Sequence, residues 1–274
     1  MKNAIHMLKS VTNTQMNSFI ITCESGHVIV IDGGWREDAE YFIGYLKEIC
    51  GMEIPKIDAW FLTHAHSDHV NLFFEILDKH ENELQVEKIY YHFPSVQFLA
   101  KEDKDAAATA TEFYGYLPRF ASKACIVSGG DTYKVGDAEF EILYSPDDSF
   151  RKNVCNNSSI VFKMTLGGKS VMFTGDCGVE AGEKLLTMYK DSGKLKSDMC
   201  QMAHHGQNGC DKPFYEAVSP KICFWCTPDW LWNNDAGRGY NTHCFKTIIV
   251  RGWMKELGVE KNYVIKDGTQ VCYL

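Results

Sequence analysis

The run Ala59-Trp60-Phe61-Leu62-Thr63-His64-Ala65-His66-Ser67-Asp68-His69 carries an apolar tetrapeptide straight into four potential metal-binding side chains, His64, His66, Asp68 and His69. Neutral imidazole and carboxylate are the ligands that a borderline divalent ion such as Zn²⁺ prefers. Four such groups within six residues cannot all point one way, because side chains repeat every 3.6 residues on a helix and alternate on a strand. They converge if the strand ends and the chain loops over into a helix. The flanking pattern predicts that turn: Ile57 to Leu62 reads as a buried strand and Val70 to His80 as a helix. This differs from H-E-x-x-H, whose two ligands lie one helical turn apart. A mere polar surface turn would sit poorly after so hydrophobic a run.

Outward from this point, short β-rich runs alternate with longer helical ones. Phe19 to Cys23 and Val28 to Ile31 read as a hairpin joined by Glu24-Ser25-Gly26-His27. A helix over Asp38 to Cys50 stops at Gly51, and a strand covers Lys88 to His92. Lys101 to Ser122 reads as helix with a break near Pro118. Strands follow over Glu139 to Tyr144, Ser159 to Leu166 and Ser170 to Thr174. Helix Glu180 to Lys190, strand Asp198 to Ala203, helix Lys212 to Val218, strand Lys221 to Cys226 and helix Phe245 to Leu257 come next. A last hairpin turns at Asp267-Gly268. The strands arrive in two batches with helices interleaved, which two sheets face to face with helices outside would bury. No repeat or Pro/Ser-rich linker divides the chain, so one domain over 1–274 is expected.

Composition narrows the function. Hydrophobic residues at 45% and charged residues at 23% sit near the averages of soluble globular proteins. The formal net charge of −8, with no basic stripe, disfavours bulk nucleic-acid binding. Eleven irregularly spaced cysteines and no apolar leader at Met1 to Ser10 point to a reducing, cytoplasmic setting. No stretch approaches the roughly 18 apolar residues of a membrane span. A small-molecule substrate is the expected partner, and the oligomeric state is left open.

The pattern H-x-H-x-D-H after a strand resembles the signature of the metallo-β-lactamase superfamily, and other runs agree in order. Val28 to Ile31 leads into Asp32-Gly33-Gly34, Phe173-Thr174 leads into Gly175-Asp176, and Ala203-His204-His205-Gly206 follows. Asn156-Asn157-Ser158-Ser159 and the closing Lys266-Asp267-Gly268 resemble one branch, that of the competence-protein hydrolase domain and the phosphorylcholine esterases. The resemblance spans nearly the whole chain and implies an α/β (α+β) fold, a four-layer αββα sandwich. It also implies a binuclear site: His64 and His66 on one metal, Asp68, His69 and His205 on the other, and Asp176 bridging. Taken alone, Asp176 would read as a helix N-cap. His205 is taken as the ligand because it precedes Gly206. His204, with Asp68, is then a candidate catalytic residue placed to hydrogen-bond a substrate oxygen or leaving group. Asp32 reads as the partner that fixes a ligating histidine.

One position departs from the family. Most members supply a third histidine to the first metal just before the strand near Ser159; here stand Cys155, Asn156 and Asn157. An Asn157 amide oxygen, the Cys155 thiolate or water would fill the place. Zinc is the expected metal, with manganese or iron as substitutes. Such a site implies hydrolysis, of a phosphodiester or related small ester first. Lactone, thioester or amide carbonyls are the alternative, or a degenerate member that binds without turnover. An iron-dependent reductase of this superfamily would carry Glu where His66 stands. Trp225, Trp230, Trp232 and Tyr240 invite an aromatic cage for a quaternary ammonium group. Cys223 and Cys226, three apart on a strand, point to opposite faces and read as structural.

Overall fold

A computed structural model describes residues 1–146 and 149–274. Along the first half run β1 (Ala4–Met7), β2 (Ser18–Thr22), β3 (Val28–Asp32), α1 (Ala39–Cys50), β4 (Lys56–Ile57), β5 (Ala59–Leu62) and α2 (Ser67–Glu75). Then come β6 (Gln85–Val86), β7 (Ile89–Tyr91), α3 (Val96–Glu102), α4 (Lys104–Phe120) and β8 (Ala124–Ile126). The second half continues with β9 (Thr132–Val135), β10 (Ala138–Tyr144), α5 (Val154–Asn157), β11 (Val161–Leu166), β12 (Lys169–Phe173) and α6 (Val179–Tyr189). It closes with β13 (Met199–Gln201), α7 (Lys212–Val218), β14 (Ile222–Trp225), α8 (Asp229–Trp232), α9 (Thr247–Glu256), β15 (Lys261–Val264) and β16 (Gln270–Tyr273).

Two seven-stranded sheets result, in the orders β16-β1-β2-β3-β5-β7-β8 and β15-β14-β13-β12-β11-β10-β9, beside a minor β4-β6 pair. Each central strand is buried on both faces, which is why it reads as an unbroken apolar run. In β3, Ile29 and Ile31 enter the core between the sheets while Val28 and Val30 face the helices. In β5, Ala59 and Phe61 point inward while Trp60 and Leu62 meet the helical layer. Phe61 stacks on Tyr90 and Phe140, each at 4.7 Å, and on Phe162 at 5.1 Å, tying the two sheets face to face. The result is the αββα sandwich that the two batches of strands imply.

Three local expectations are corrected. The last two strands form no hairpin: β15 pairs with β14 in one sheet and β16 with β1 in the other, so Lys266-Asp267-Gly268 is a crossover between sheets. The helical stretch after residue 95 breaks at Asp103, whose side chain accepts from Ala106 N–H and caps α4, while Pro118 lies inside that helix. The strand expected over Ile57 to Leu62 is interrupted at Asp58, whose carboxylate is turned aside to accept from Val28 N–H. No helix among the described residues is long and apolar enough to cross a membrane.

Candidate metal centre

The site lies where four strands end together. Asp32 is the last residue of β3, the His64-to-His69 run follows β5, Gly175-Asp176 follows β12, and His204-His205 follows β13. The strand β5 stops at Leu62 and α2 starts at Ser67, so His64 and His66 occupy the turn and Asp68 and His69 the first helical turn. Asp68 there complements the helix dipole. At the other strand end Gly175 has φ +52° and leaves no room for a side chain, since a Cβ would meet Ser159 Oγ at 2.9 Å. That close approach lets Asp176 N–H donate to Ser159 Oγ at 3.0 Å. The helix cap that Asp176 suggests in isolation falls at Gly178 instead, where Asn157 Oδ1 accepts from Ala181 N–H at 3.1 Å. His204 and His205 both sit in the left-handed region, with φ 52° and 53°. Each such residue costs roughly 1–2 kcal/mol, and the backbone accepts this to turn His205 Nε2 inward.

All six candidate ligands meet here. His64 Nε2 is 3.1 Å from His66 Nδ1, and His69 Nε2 is 3.2 Å from Asp176 Oδ1. His205 Nε2 is 3.0 Å from Asp68 Oδ2 and 3.3 Å from Asp176 Oδ2. Bonds of about 2.0–2.1 Å at tetrahedral angles put ligand atoms about 3.3 Å apart, so these gaps have the spacing of donors around a small cation. Donor atoms fall into two groups, each within 4.8 Å: His64, His66 and Cys155, and then Asp68, His69, Asp176 and His205. Asp176 faces both, its Oδ2 lying 3.8 Å from His64 Nε2. His204 stays beside the groups, 3.8 Å from the same oxygen and partly exposed.

Outward hydrogen bonds assign the tautomers. His69 Nδ1 donates to Asp32 at 2.7 Å, His205 Nδ1 to the Cys226 carbonyl at 3.2 Å and His66 Nε2 to Asp103 at 3.1 Å. Thr63 Oγ1 donates to Asp32, so it must accept from His64 Nδ1 at 3.1 Å. The remaining ring nitrogens face inward, and His69 Nε2, His205 Nε2 and Asp176 Oδ1 are buried without a hydrogen-bond partner. Buried polar atoms left unpaired cost roughly 1–3 kcal/mol each. A proton or a cation must fill these gaps, and the donor set therefore fits divalent metal. Proton affinities carry the same message. Burial alone would lower the imidazoles, yet Asp176, Asp32 and Asp68 hold His69 well above its ordinary value, and Asp176 and Asp68 hold His205 at about 9. Burial opposes charge on Asp176 too, but His205 and His69 keep its carboxyl well below the usual range.

Asp32 acts through others, as its place at a strand end suggests. It accepts from Thr63 N–H, Thr63 Oγ1, Asn17 Nδ2 and His69 Nδ1, each at 2.7 Å. Asn17 and Asp103 were not legible as site residues. Asn17 precedes an ordinary strand, and Asp103 sits in a charged run that reads as a solvated helix. The four aromatics do not form one group. Trp232 packs on the buried Trp225 and carries the chain's own Arg251 at 4.0 Å, these three lining one cleft with Tyr240, whereas Trp230 lies against His243 and Phe245. Cys223 meets Met254 in one core while Cys226 meets Asn17 in the other, as strand alternation requires.

The family model of the metallo-beta-lactamase superfamily matches residues 11–208, a span that contains all six candidate ligands, and the chain belongs to that superfamily. It is 26% identical over 215 residues to ComE operon protein 3 of Bacillus subtilis (strain 168), covering 72% of this chain and 25% of that protein. The chain thus spans about a quarter of that relative's length. Among solved structures, the metallo-beta-lactamase fold protein YhfI from Bacillus subtilis superposes with a TM-score of 0.56 at 13% identity over 99% of both chains. CmlA, a diiron beta-hydroxylase from Streptomyces venezuelae, gives 0.60 at 13% identity over 100% of this chain and 54% of its own. Zn²⁺-bound PqqB from Methylobacterium extorquens gives 0.55 at 12% identity, over 95% of this chain and 88% of its own. At these identities the likeness is one of fold.

Proposed function

We propose that the chain is a metal-dependent hydrolase with a binuclear site, acting on a phosphodiester or related small ester. The observation that carries this is Asp176 standing between the two donor groups, its Oδ1 3.2 Å from His69 Nε2 of the second group and its Oδ2 3.8 Å from His64 Nε2 of the first. In this reading His64 and His66 would hold one ion and Asp68, His69 and His205 the second, with Asp176 placed to serve both. Two bound cations supply water of lowered pKa and positive charge for the developing and leaving oxygens. Zn²⁺ is the first choice for this donor set, with Mn²⁺ or Fe²⁺ as substitutes.

The chain's own residues do the rest. Asp32, Asp103 and the Cys226 carbonyl lock the rings of His69, His66 and His205, so the donors need no rearrangement on binding. Asp68 is buried beside His205, and in this reading its carboxylate would also accept a hydrogen bond from the attacking water. Burial and the nearby His205 lower the pKa of His204 against the pull of Asp176, and its place beside the donor groups suits it to hydrogen-bond a substrate oxygen or leaving group. A reducing, cytoplasmic setting for one 274-residue domain fits the eleven free cysteines.

The test is hydrolysis of bis-p-nitrophenyl phosphate against p-nitrophenyl acetate by metal-loaded protein, with His66→Ala and Asp176→Ala. Phosphodiester turnover lost by at least about a hundredfold in both variants supports the reading. Turnover on the carbonyl ester alone would replace the phosphodiester with carbonyl substrates, and activity unchanged in both variants would remove the site from the reaction.

A further inference from the structure

Most of the superfamily resembled by this sequence supplies a third histidine to the first ion; this chain has none there, and the structure brings a different atom to that place. The chain reaches it through α5, a single turn entered at Asn153 with φ +46°. Of the three residues there, Asn157 is committed elsewhere: its Nδ2 donates to the Lys152 carbonyl at 3.0 Å and its Oδ1 accepts from Ala181 N–H at 3.1 Å. Asn156 directs its amide NH₂ at Asn153 Oδ1, 2.8 Å, and towards His204 Nε2, 3.5 Å, while its Oδ1 is buried without a hydrogen-bond partner. Cys155 is fully buried, and its Sγ lies within 4.8 Å of a ring nitrogen of both His64 and His66. The two nitrogens aimed at that space are fixed from behind, His64 by Thr63 and His66 by Asp103.

We infer that the Cys155 thiolate is the third protein donor to the first metal ion, standing where a histidine stands in relatives. The inference rests on the binuclear reading above and adds to it a choice of metal. A neutral imidazole is replaced by a charged, soft sulfur, which favours Zn²⁺, Co²⁺ and Fe²⁺ over oxygen-preferring Mn²⁺ at this position. A thiolate also carries one more negative charge than the histidine, which offsets the ion's charge within a buried site. The missing histidine is therefore a substitution of donor, not the loss of one.

Cobalt(II) titration of the metal-free full chain tests this, because a thiolate–Co²⁺ bond adds a charge-transfer band in the near-ultraviolet that histidine and carboxylate do not. The wild type should bind two equivalents and show the band. Cys155→Ser should keep its circular dichroism, lose the band and weaken the first site by at least about tenfold, since even residues behind a ligand are worth 10–100-fold. Cys155→His, which restores the relatives' donor, should regain tight binding without the band and bind Mn²⁺ better relative to Zn²⁺. Two equivalents of Co²⁺ with no band, or a band that survives in both variants, would overturn the role of Cys155 while leaving the binuclear site intact. No Co²⁺ uptake at all would overturn the binuclear reading itself, and this inference with it.

Discussion

Asp32 shows how much of the centre depends on residues that would never touch metal. Its two oxygens accept four hydrogen bonds at 2.7 Å, from Asn17, His69 and twice from Thr63. They join β2, β3 and the start of the His64-to-His69 run at one point. Three of the four, that from His69 included, fall on one oxygen, Oδ2. Asp32→Ala removes it and should therefore release the His69 ring and weaken metal binding about 10–100-fold, read by competition with a chromogenic chelator. Unchanged affinity would mean that His69 is held by packing alone. At this scale the candidate ligands that the fold brings together were readable in the sequence, because His, Asp and Gly in fixed order carry chemistry that few other roles need. Of the supporting residues, Asp32 was readable as the partner of a ligating histidine, and Asn17 and Asp103 were not. Asn17 reaches His69 only through Asp32, Asp103 lies far along the chain from His66, and no spacing links them.

Elements were legible where both faces of a strand or one face of a helix had a simple demand. Helix α1 runs to Cys50 and closes on Gly51 in the left-handed conformation, as its apolar spacing and glycine stop require. Pairing across distance was not legible: β15 and β16 look like a hairpin because a Gly-containing turn separates two short apolar runs, yet they serve different sheets. The short strand β1 and the edge strands β8 and β9 were missed for a related reason, being short and, in β9, half exposed. The contact of β1 with α1 has a consequence for stability. His6 lies buried on β1, its Nδ1 2.9 Å from the Tyr45 hydroxyl of α1, and burial lowers its pKa from 6.5 to about 4. The unfolded chain takes up this proton first as pH falls, so stability present above pH 6.5 is lost between 6.5 and 4. The full shift corresponds to roughly 3 kcal/mol. Urea unfolding at pH 7 and pH 4.5 should show His6→Phe losing about 2 kcal/mol less than the wild type over that interval. Equal losses would mean that His6 titrates normally in the fold.

Across the whole molecule, the two sheets meet through aromatic rings centred on Phe61, two residues before Thr63 and three before His64. The strand that anchors the inter-sheet core is thus the strand that delivers the first ligands, so core and centre should fail together. Truncation to Phe61→Ala should cost roughly 3–5 kcal/mol, measured as a shift in the urea midpoint. Loss of bound metal should follow the same transition as loss of circular dichroism. Metal released well before unfolding would show the site to be uncoupled from the sheet core. The αββα architecture could be foreseen from the two batches of strands, whereas the substrate could not, because the ligand set leaves the bond to be cleaved open.

The central claim is that two groups of buried donors joined by Asp176 hold two metal ions. Elemental analysis of protein purified without added metal, then after Zn²⁺ reconstitution, tests it most directly, with Asp176→Ala alongside. About two equivalents per chain are expected in the reconstituted wild type and clearly fewer in the variant. No retained metal after reconstitution, or full occupancy with Asp176 removed, would contradict it.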